Sequence, residues 1–162
     1  MIKLKDILFE STAPDIFIPR RVEDRLERYI KDYIRNGSKG NLDLSGLNLT
    51  KLPEILKNIS VGGLFDCSNN NLTSLINAPK SVGGNFWCGC NKLTSLECAH
   101  ITVGRDFHCN GNRLTSLQGA PTIVHRDFYC SDNSVQFTRK DVKSVCDVKG
   151  KIFVWLNLKT YY

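Results

Sequence analysis

Four cysteines recur at a fixed interval, and they are the first residues whose type and spacing suggest chemistry. Cys67, Cys88, Cys109 and Cys130 are each 21 residues apart. A ladder of thiols suggests metal or redox chemistry, but neighbouring strands lie about 4.8 Å apart, so stacked sulfurs would not surround one ion tetrahedrally. Because Leu44 occupies the same position in the first unit, we interpret the four as small buried apolar residues. We expect no metal site and no cofactor.

His108 is the second candidate for chemistry. The same spacing places it near Asp66, Asp106 and Asp127, so a general acid–base pair is one interpretation. No serine or cysteine nucleophile accompanies it, and a shallow sheet lacks the enclosing pocket that small-molecule sites favour. We therefore expect a protein that is not an enzyme and has no small-molecule substrate. An enzyme using His108 with a neighbouring aspartate is the least favoured alternative.

The cysteines belong to a phrase that recurs through the centre of the chain. It reads FDCSNNNLTSL from Phe65, FWCGCNKLTSL from Phe86, FHCNGNRLTSL from Phe107 and FYCSDNSVQFT from Phe128. A fixed period in this range predicts a stack of similar small units. With LDLSGLNL at 42–49 as a variant first unit, we expect about five units within residues 41–137.

This phrase resembles the leucine-rich repeat, with Phe, Cys, Asn and Leu in the fourth, sixth, ninth and eleventh positions. The later units resemble a cysteine-bearing variety found in phage and bacterial genomes. The resemblance implies an α/β solenoid of short parallel strands, but no function, because such repeats bind many unrelated targets. In each unit we expect the asparagine to bond backbone groups of its own turn and of the next unit.

The flanking segments are predicted to cover the ends of the stack, where a solenoid would otherwise expose apolar surface. Residues 11–40 are interpreted as an N-terminal helical cap, with a helix over 19–36 whose apolar face includes Leu26 and Ile30. Residues 138–162 are interpreted as a C-terminal helix–strand cap. It begins with a capping box made by Thr138 and Asp141 and contains a buried strand over 152–156.

The first ten residues, MIKLKDILFE, resemble the capsid-targeting peptides of internal head proteins in T4-type phages. Those peptides end in a hydrophobic residue, any residue and Glu, which here are Leu8, Phe9 and Glu10. The resemblance implies cleavage after Glu10, packaging inside the phage head and delivery to the host cytoplasm. If the chain does not come from a phage, the lack of a secretory signal predicts that it is located in the bacterial cytoplasm.

The outward positions of the strands change from unit to unit, whereas the core positions stay constant. If Phe and Cys point inward, the residues between and beside them line the concave surface. Three ring-bearing side chains follow one another there. The predicted partner-binding face comprises Asp43, Leu64, Asp66, Asn85, Trp87, Arg105, Asp106, His108, Asn110, Arg126, Asp127, Tyr129 and Ser131.

The expected partner is a protein of the bacterial host or of the phage, because Trp, Tyr and Arg most often anchor interfaces. The chain would then serve host takeover or counter a defence system of the host. Two alternatives stay open: the rings only stabilise an exposed sheet, or the chain is a structural virion protein without a host target.

The net charge of +6 bears on the remaining classes of partner, and it lies in the flanks, since residues 41–133 hold seven basic and seven acidic side chains. The basic and aromatic residues of the C-terminal tail are of the type that stacks on nucleic acid, but nucleic acid is a less favoured partner than a protein, because a short polar and aromatic tail at the surface explains them equally well. No apolar run is long enough to cross a bilayer, so no membrane partner is expected. The oligomeric state is left open.

Overall fold

The computed structural model describes residues 19–97 and 101–155, with side chains inside the first helix from residue 23 onward. Two stacks of short strands follow that helix and run along the repeats. The predicted capsid-targeting peptide at 1–10, its cleavage after Glu10, Cys98 and the tail beyond Trp155 lie outside the described residues. In the described part, no helix combines the length and apolar character needed to span a membrane.

Helix α1 spans Pro19–Arg35, close to the predicted 19–36. Leu26, Ile30 and Tyr33 are buried along one of its faces, with the spacing of an amphipathic helix. The chain leaves the helix through Gly37, whose φ of 81° lies in the left-handed region that glycine tolerates best. The three buried side chains join the same core as the repeats.

Successive strands alternate between two sheets, and all pairings in both sheets are parallel. The first sheet contains β1 (Leu42–Asp43), β3 (Phe65–Asp66), β5 (Phe86–Trp87), β7 (Phe107–His108), β9 (Phe128–Tyr129) and β11 (Ile152–Phe153). The second sheet contains β2 (Ser60–Val61), β4 (Ser81–Val82), β6 (Thr102–Val103), β8 (Ile123–Val124) and β10 (Asp147–Val148). This regular order is compatible with a solenoid.

The core lies between the two sheets. Phe65, Phe86, Phe107 and Phe128 are fully buried, and neighbouring rings lie 5.1–5.3 Å apart between centroids in tilted or edge-on contacts. Such contacts are favoured over face-to-face sandwiches. Valines of the second sheet close the other side of the core. The predicted inward direction of the Phe and Cys positions is confirmed.

The second sheet was not predicted from the sequence. Its strands are two residues long, which is too short to display the alternation by which strands are recognised. A further local element, a 3-10 helix at Glu54–Asn58, lies in the first unit and buries Leu56. The interval from Leu49 to Leu72 is 23 residues instead of 21, so this helix uses the longer connection of the first unit.

The repeated asparagines connect each unit to the one before it. Asn91 accepts a hydrogen bond from the Leu72 N–H at 3.0 Å and donates to the carbonyls of Cys67, Cys88 and Gly89 at 3.0–3.2 Å. Two of those partners belong to its own turn and two to the preceding unit. The prediction that the asparagine bonds the next unit was therefore wrong, because its partners outside its own turn lie in the preceding unit. Its predicted role in satisfying buried backbone groups is confirmed.

Glycines stand where successive units approach each other most closely. A Cβ on Gly104 would overlap the carbonyl oxygen of Gly83, and a Cβ on Gly83 would lie 2.5 Å from the carbonyl oxygen of Gly62. Neither glycine has a positive φ. The requirement for glycine here is space beside a neighbouring backbone, not an unusual conformation.

The segment after the repeats forms helix α2 (Arg139–Val145) and the last strand of each sheet. The predicted capping box is confirmed: the Thr138 N–H donates to Asp141 Oδ2 at 2.8 Å, and the Asp141 N–H donates to Thr138 Oγ1 at 3.2 Å. The strand in the structure is shorter than the predicted buried strand over 152–156. It is β11, which contains only Ile152 and the half-buried Phe153.

Candidate functional site

One row of side chains lies on the face of the first sheet that points away from the core. Each member directly follows the buried first residue of its strand, and side chains alternate along a strand, so the row projects outward. We call it the outward column. In register order it consists of Asp43, Asp66, Trp87, His108, Tyr129 and Phe153.

The register therefore brings together five residues of the predicted partner-binding face, and adds a sixth, Phe153. That residue was missed because the segment after Phe137 lacks the recurring phrase. A weaker signal was present: Val148, Gly150 and Ile152 precede it at the spacing with which a valine, a glycine and a phenylalanine precede Trp87. This signal would have identified β10 and β11 as continuations of the two sheets.

Four rings of the outward column are in contact along the stack. Trp87 meets His108 edge to face, with centroids 5.7 Å apart and planes at 72°. His108 and Tyr129 are stacked at 4.1 Å and 10°, and Tyr129 and Phe153 at 4.6 Å and 5°. Such pairs stabilise by about 0.5–1.5 kcal/mol each. The rings therefore contribute to stability as well as forming a continuous aromatic surface.

The environment of His108 favours its neutral form. Burial lowers the pKa of His108, and the carboxylates of Asp106, Asp127 and Asp66 oppose that shift. Within residues 19–97 and 101–155, none of the hydrogen bonds joins His108 to an aspartate. A catalytic acid–base pair needs its groups within hydrogen-bonding reach, so the contact that the geometry provides for this imidazole is stacking on Tyr129.

The two aspartates of the outward column have similar local bonds but different burial. The Ser45 N–H and hydroxyl donate to Asp43 Oδ1 at 2.9 and 2.7 Å, and those of Ser68 donate to Asp66 Oδ1 at 2.9 and 2.6 Å. Asp66 is only 7% exposed. Burial raises the pKa of Asp66 and the charge of Asp43 adds to this effect, whereas Ser68 and His108 oppose it.

The row beside the outward column supports the backbone. The Asp106 N–H donates to Asn85 Oδ1 at 3.2 Å, the Asp127 N–H to Asp106 Oδ1 at 3.1 Å, and the Lys151 N–H to Asp127 Oδ1 at 2.7 Å. Leu64, which stands in the same row, has no side-chain acceptor to continue the ladder. Asn85, Asp106 and Asp127 were predicted as binding residues, and a structural role for them was missed.

The remaining predicted residues lie around these rows. Arg105 and Arg126 are exposed, and the Arg126 Nε lies 3.8 Å from Asp106 Oδ1. Asn110 and Ser131 are half-buried on the opposite side of the outward column. The two arginines therefore lie beside the part of the face that contains His108 and Tyr129.

Trp87 has a polar atom without a partner. Its indole Nε1 is buried and has no hydrogen-bond acceptor among the described residues. A buried donor left unpaired costs about 1–3 kcal/mol. The side chain of Trp87, which lies between Asp66 and the stacked rings, therefore carries a buried hydrogen-bond donor without an acceptor among the described residues.

The cysteine column has the character expected of core residues. Cys67, Cys88, Cys109 and Cys130 are at most 1% exposed, and the Cys88 thiol donates to the His108 carbonyl at 3.2 Å. Burial raises the pKa of the Cys130 thiol to about 12. In the described part of the chain, no three His, Cys, Asp or Glu side chains are grouped so that they could hold a metal ion.

Comparison of the chain with protein-family models, with curated proteins and with solved structures found no match. Inference about function therefore depends on the geometry of the outward column and on the pattern of the sequence. The outward column combines two carboxylates with a run of four rings on one face of the first sheet.

Proposed function

We propose that the chain is a leucine-rich-repeat solenoid that binds a protein partner through the outward column and is not an enzyme. One observation carries the proposal: the core rows repeat Phe, Cys and Asn in successive units, whereas the outward column changes at almost every step. A purely structural face has no reason to differ from unit to unit. The four rings are half-buried and form one continuous surface, and apolar surface of this kind commonly serves recognition.

The shape of the surface agrees with a macromolecular partner. The four rings extend across four adjacent strands, or about 14 Å at 4.8 Å per step. That length suits an extended segment or a helix of another protein. Helix α1 and the α2–β10–β11 segment act in this proposal as the end caps, because their buried residues join the core of the repeats.

Replacing Trp87, His108 and Tyr129 together by alanine is expected to abolish capture of the partner from a bacterial lysate. The rings contribute the contact area and the anchoring residues of the face. The measurement is affinity capture followed by mass spectrometry, with circular dichroism and a melting curve to verify that the variant is folded. The stack contributes to stability, so a lower melting temperature is expected while the spectrum is retained.

A matched control is available on the opposite sheet. Ser60, Ser81 and Thr102 form a row in register on β2, β4 and β6. Their triple alanine variant removes side chains from the other surface of the same units. Capture that is lost equally in both variants would contradict the proposal.

The N-terminal resemblance adds a second part to the proposal, namely that the chain is an internal head protein of a bacteriophage, delivered into the host with the genome. It is supported by Leu8, Phe9 and Glu10 at the end of the first ten residues. The protein isolated from particles is then expected to begin at Ser11, as measured by intact mass. A virion-derived chain that still begins at Met1 would refute packaging by this route, without affecting the binding proposal.

A further inference from the structure

Asp66 is the most buried carboxylate of the outward column. It is 7% exposed, and its two bonds from Ser68 both end on Oδ1. Among the described residues, no ion pair includes Asp66. Buried carboxylates are normally paired with a cation or fully hydrogen-bonded, because removal from water is costly.

The charges of the first sheet are distributed unevenly along the stack. Asp43 and Asp66 occupy its first two strands, whereas the two carboxylates farther along the stack, Asp106 and Asp127, are accompanied by Arg105 and Arg126, and Arg126 is close to Asp106. His108 does not supply the missing charge, since its surroundings favour the neutral imidazole. The first half of the outward column is therefore the acidic half, on a chain whose net charge is +6.

Trp87 stands directly beside Asp66 on the next strand, with their Cα atoms paired in the register. A carboxylate next to an indole ring offers a guanidinium both of its preferred contacts at once. Arginine donates paired hydrogen bonds to carboxylates and stacks on aromatic rings, and it does both more readily than lysine. A phosphate group, by contrast, would be repelled by this half of the column.

We infer that the protein partner places an arginine side chain over Asp66 and Trp87, and that this contact anchors the partner on the acidic half of the outward column. The inference rests on the proposed function and specifies the partner's chemistry: a cationic, arginine-bearing segment. Asp43 adds negative potential at the same end of the sheet, which favours further basic residues in the same segment.

The test is selection of random twelve-residue peptides displayed on phage, with the immobilised full-length protein as the target. Peptides recovered on the wild type are expected to contain arginine at least threefold more often than the unselected library. Asp66→Asn keeps an oxygen for the Ser68 bonds and removes only the charge, so it should fold and lose this enrichment. Asp132→Asn is the matched control, because it removes a carboxylate from an exposed turn.

A synthetic peptide with the consensus sequence of the recovered peptides is then used to measure the contact between its arginine and Asp66. Its affinity, by calorimetry, is expected to fall about tenfold or more with Asp66→Asn and by a similar factor when its arginine is replaced by glutamine. The two changes together should cost little more than either one, because they remove the same contact.

Three results would overturn the inference: no arginine enrichment, an empty selection, or equal losses for Asp66→Asn and Asp132→Asn. The triple variant of Trp87, His108 and Tyr129 separates failure of the inference from failure of the proposed function. Peptides that lack arginine and bind the wild type but not the triple variant would refute the cationic partner and support the binding face. Peptides that bind the triple variant as well as the wild type would place recognition elsewhere.

Discussion

Replacing Asn112 by alanine is expected to lower the free energy of unfolding by about 4 kcal/mol. The side chain accepts from the Leu93 N–H at 3.1 Å and donates to the carbonyls of Cys88, Cys109 and Asn110 at 3.1–3.4 Å. It is 8% exposed, so the groups it leaves have little access to water. Since small domains are stable by only about 5–15 kcal/mol, this single change removes a large share of stability.

Urea denaturation followed by circular dichroism measures the effect, and Asn58→Ala provides the control. Asn58 is exposed at the end of the 3-10 helix, so its replacement should change stability by less than about 0.5 kcal/mol. Asn133, which is half-buried in the last repeat, should give an intermediate loss. A loss below about 1 kcal/mol for Asn112→Ala would mean that water replaces the amide and that the ladder is not a main source of stability.

Replacing Gly104 by alanine is expected to cost about 2 to 3 kcal/mol, because the new Cβ would overlap a backbone oxygen that cannot rotate away. That oxygen belongs to Gly83, whose unit is also bonded through the Gly104 N–H to the Val82 carbonyl at 2.8 Å. At the equivalent position one unit later the chain has His125, whose N–H donates to the Val103 carbonyl at 3.0 Å.

The control for this substitution is Gly46→Ala, since nothing lies within 4 Å of a Cβ at Gly46 and only its φ of 66° opposes a side chain. It should cost about 1 kcal/mol. Melting curves of the two variants separate lack of space from backbone conformation. Equal shifts in melting temperature would show that the close approach of Gly104 and Gly83 is easily widened.

The period of the sequence was sufficient to predict the strands that the repeats contribute to the first sheet, and the core beneath them. Phe65, Phe86 and Phe107 are equally spaced, so a structure that pairs two of these residues pairs the third in the same register. The same spacing therefore predicts the strand register of every repeat unit. The C-terminal strands escaped this argument, because the turn before Phe153 is formed by a helix and has a different length. The spacing of Val148, Gly150 and Ile152 within that segment was the remaining signal for the pairing of β11.

The candidate site was predicted less completely, for a different reason. An aspartate on an outward position suits both recognition of a partner and acceptance of a backbone N–H, and the residue type does not distinguish the two. Asp106 and Asp127 bond the next strand, whereas Asp66 bonds its own turn. Only the distances separate these roles. The stacking of His108 on Tyr129 likewise depends on ring orientation, which spacing along the chain does not encode.

The direction of the asparagine bonds bears on how the chain folds while it is synthesised. Asn91 and Asn112 each bond backward, to groups of the unit that leaves the ribosome first. Every new unit therefore arrives with its partners already in place, and the stack extends in the order of translation.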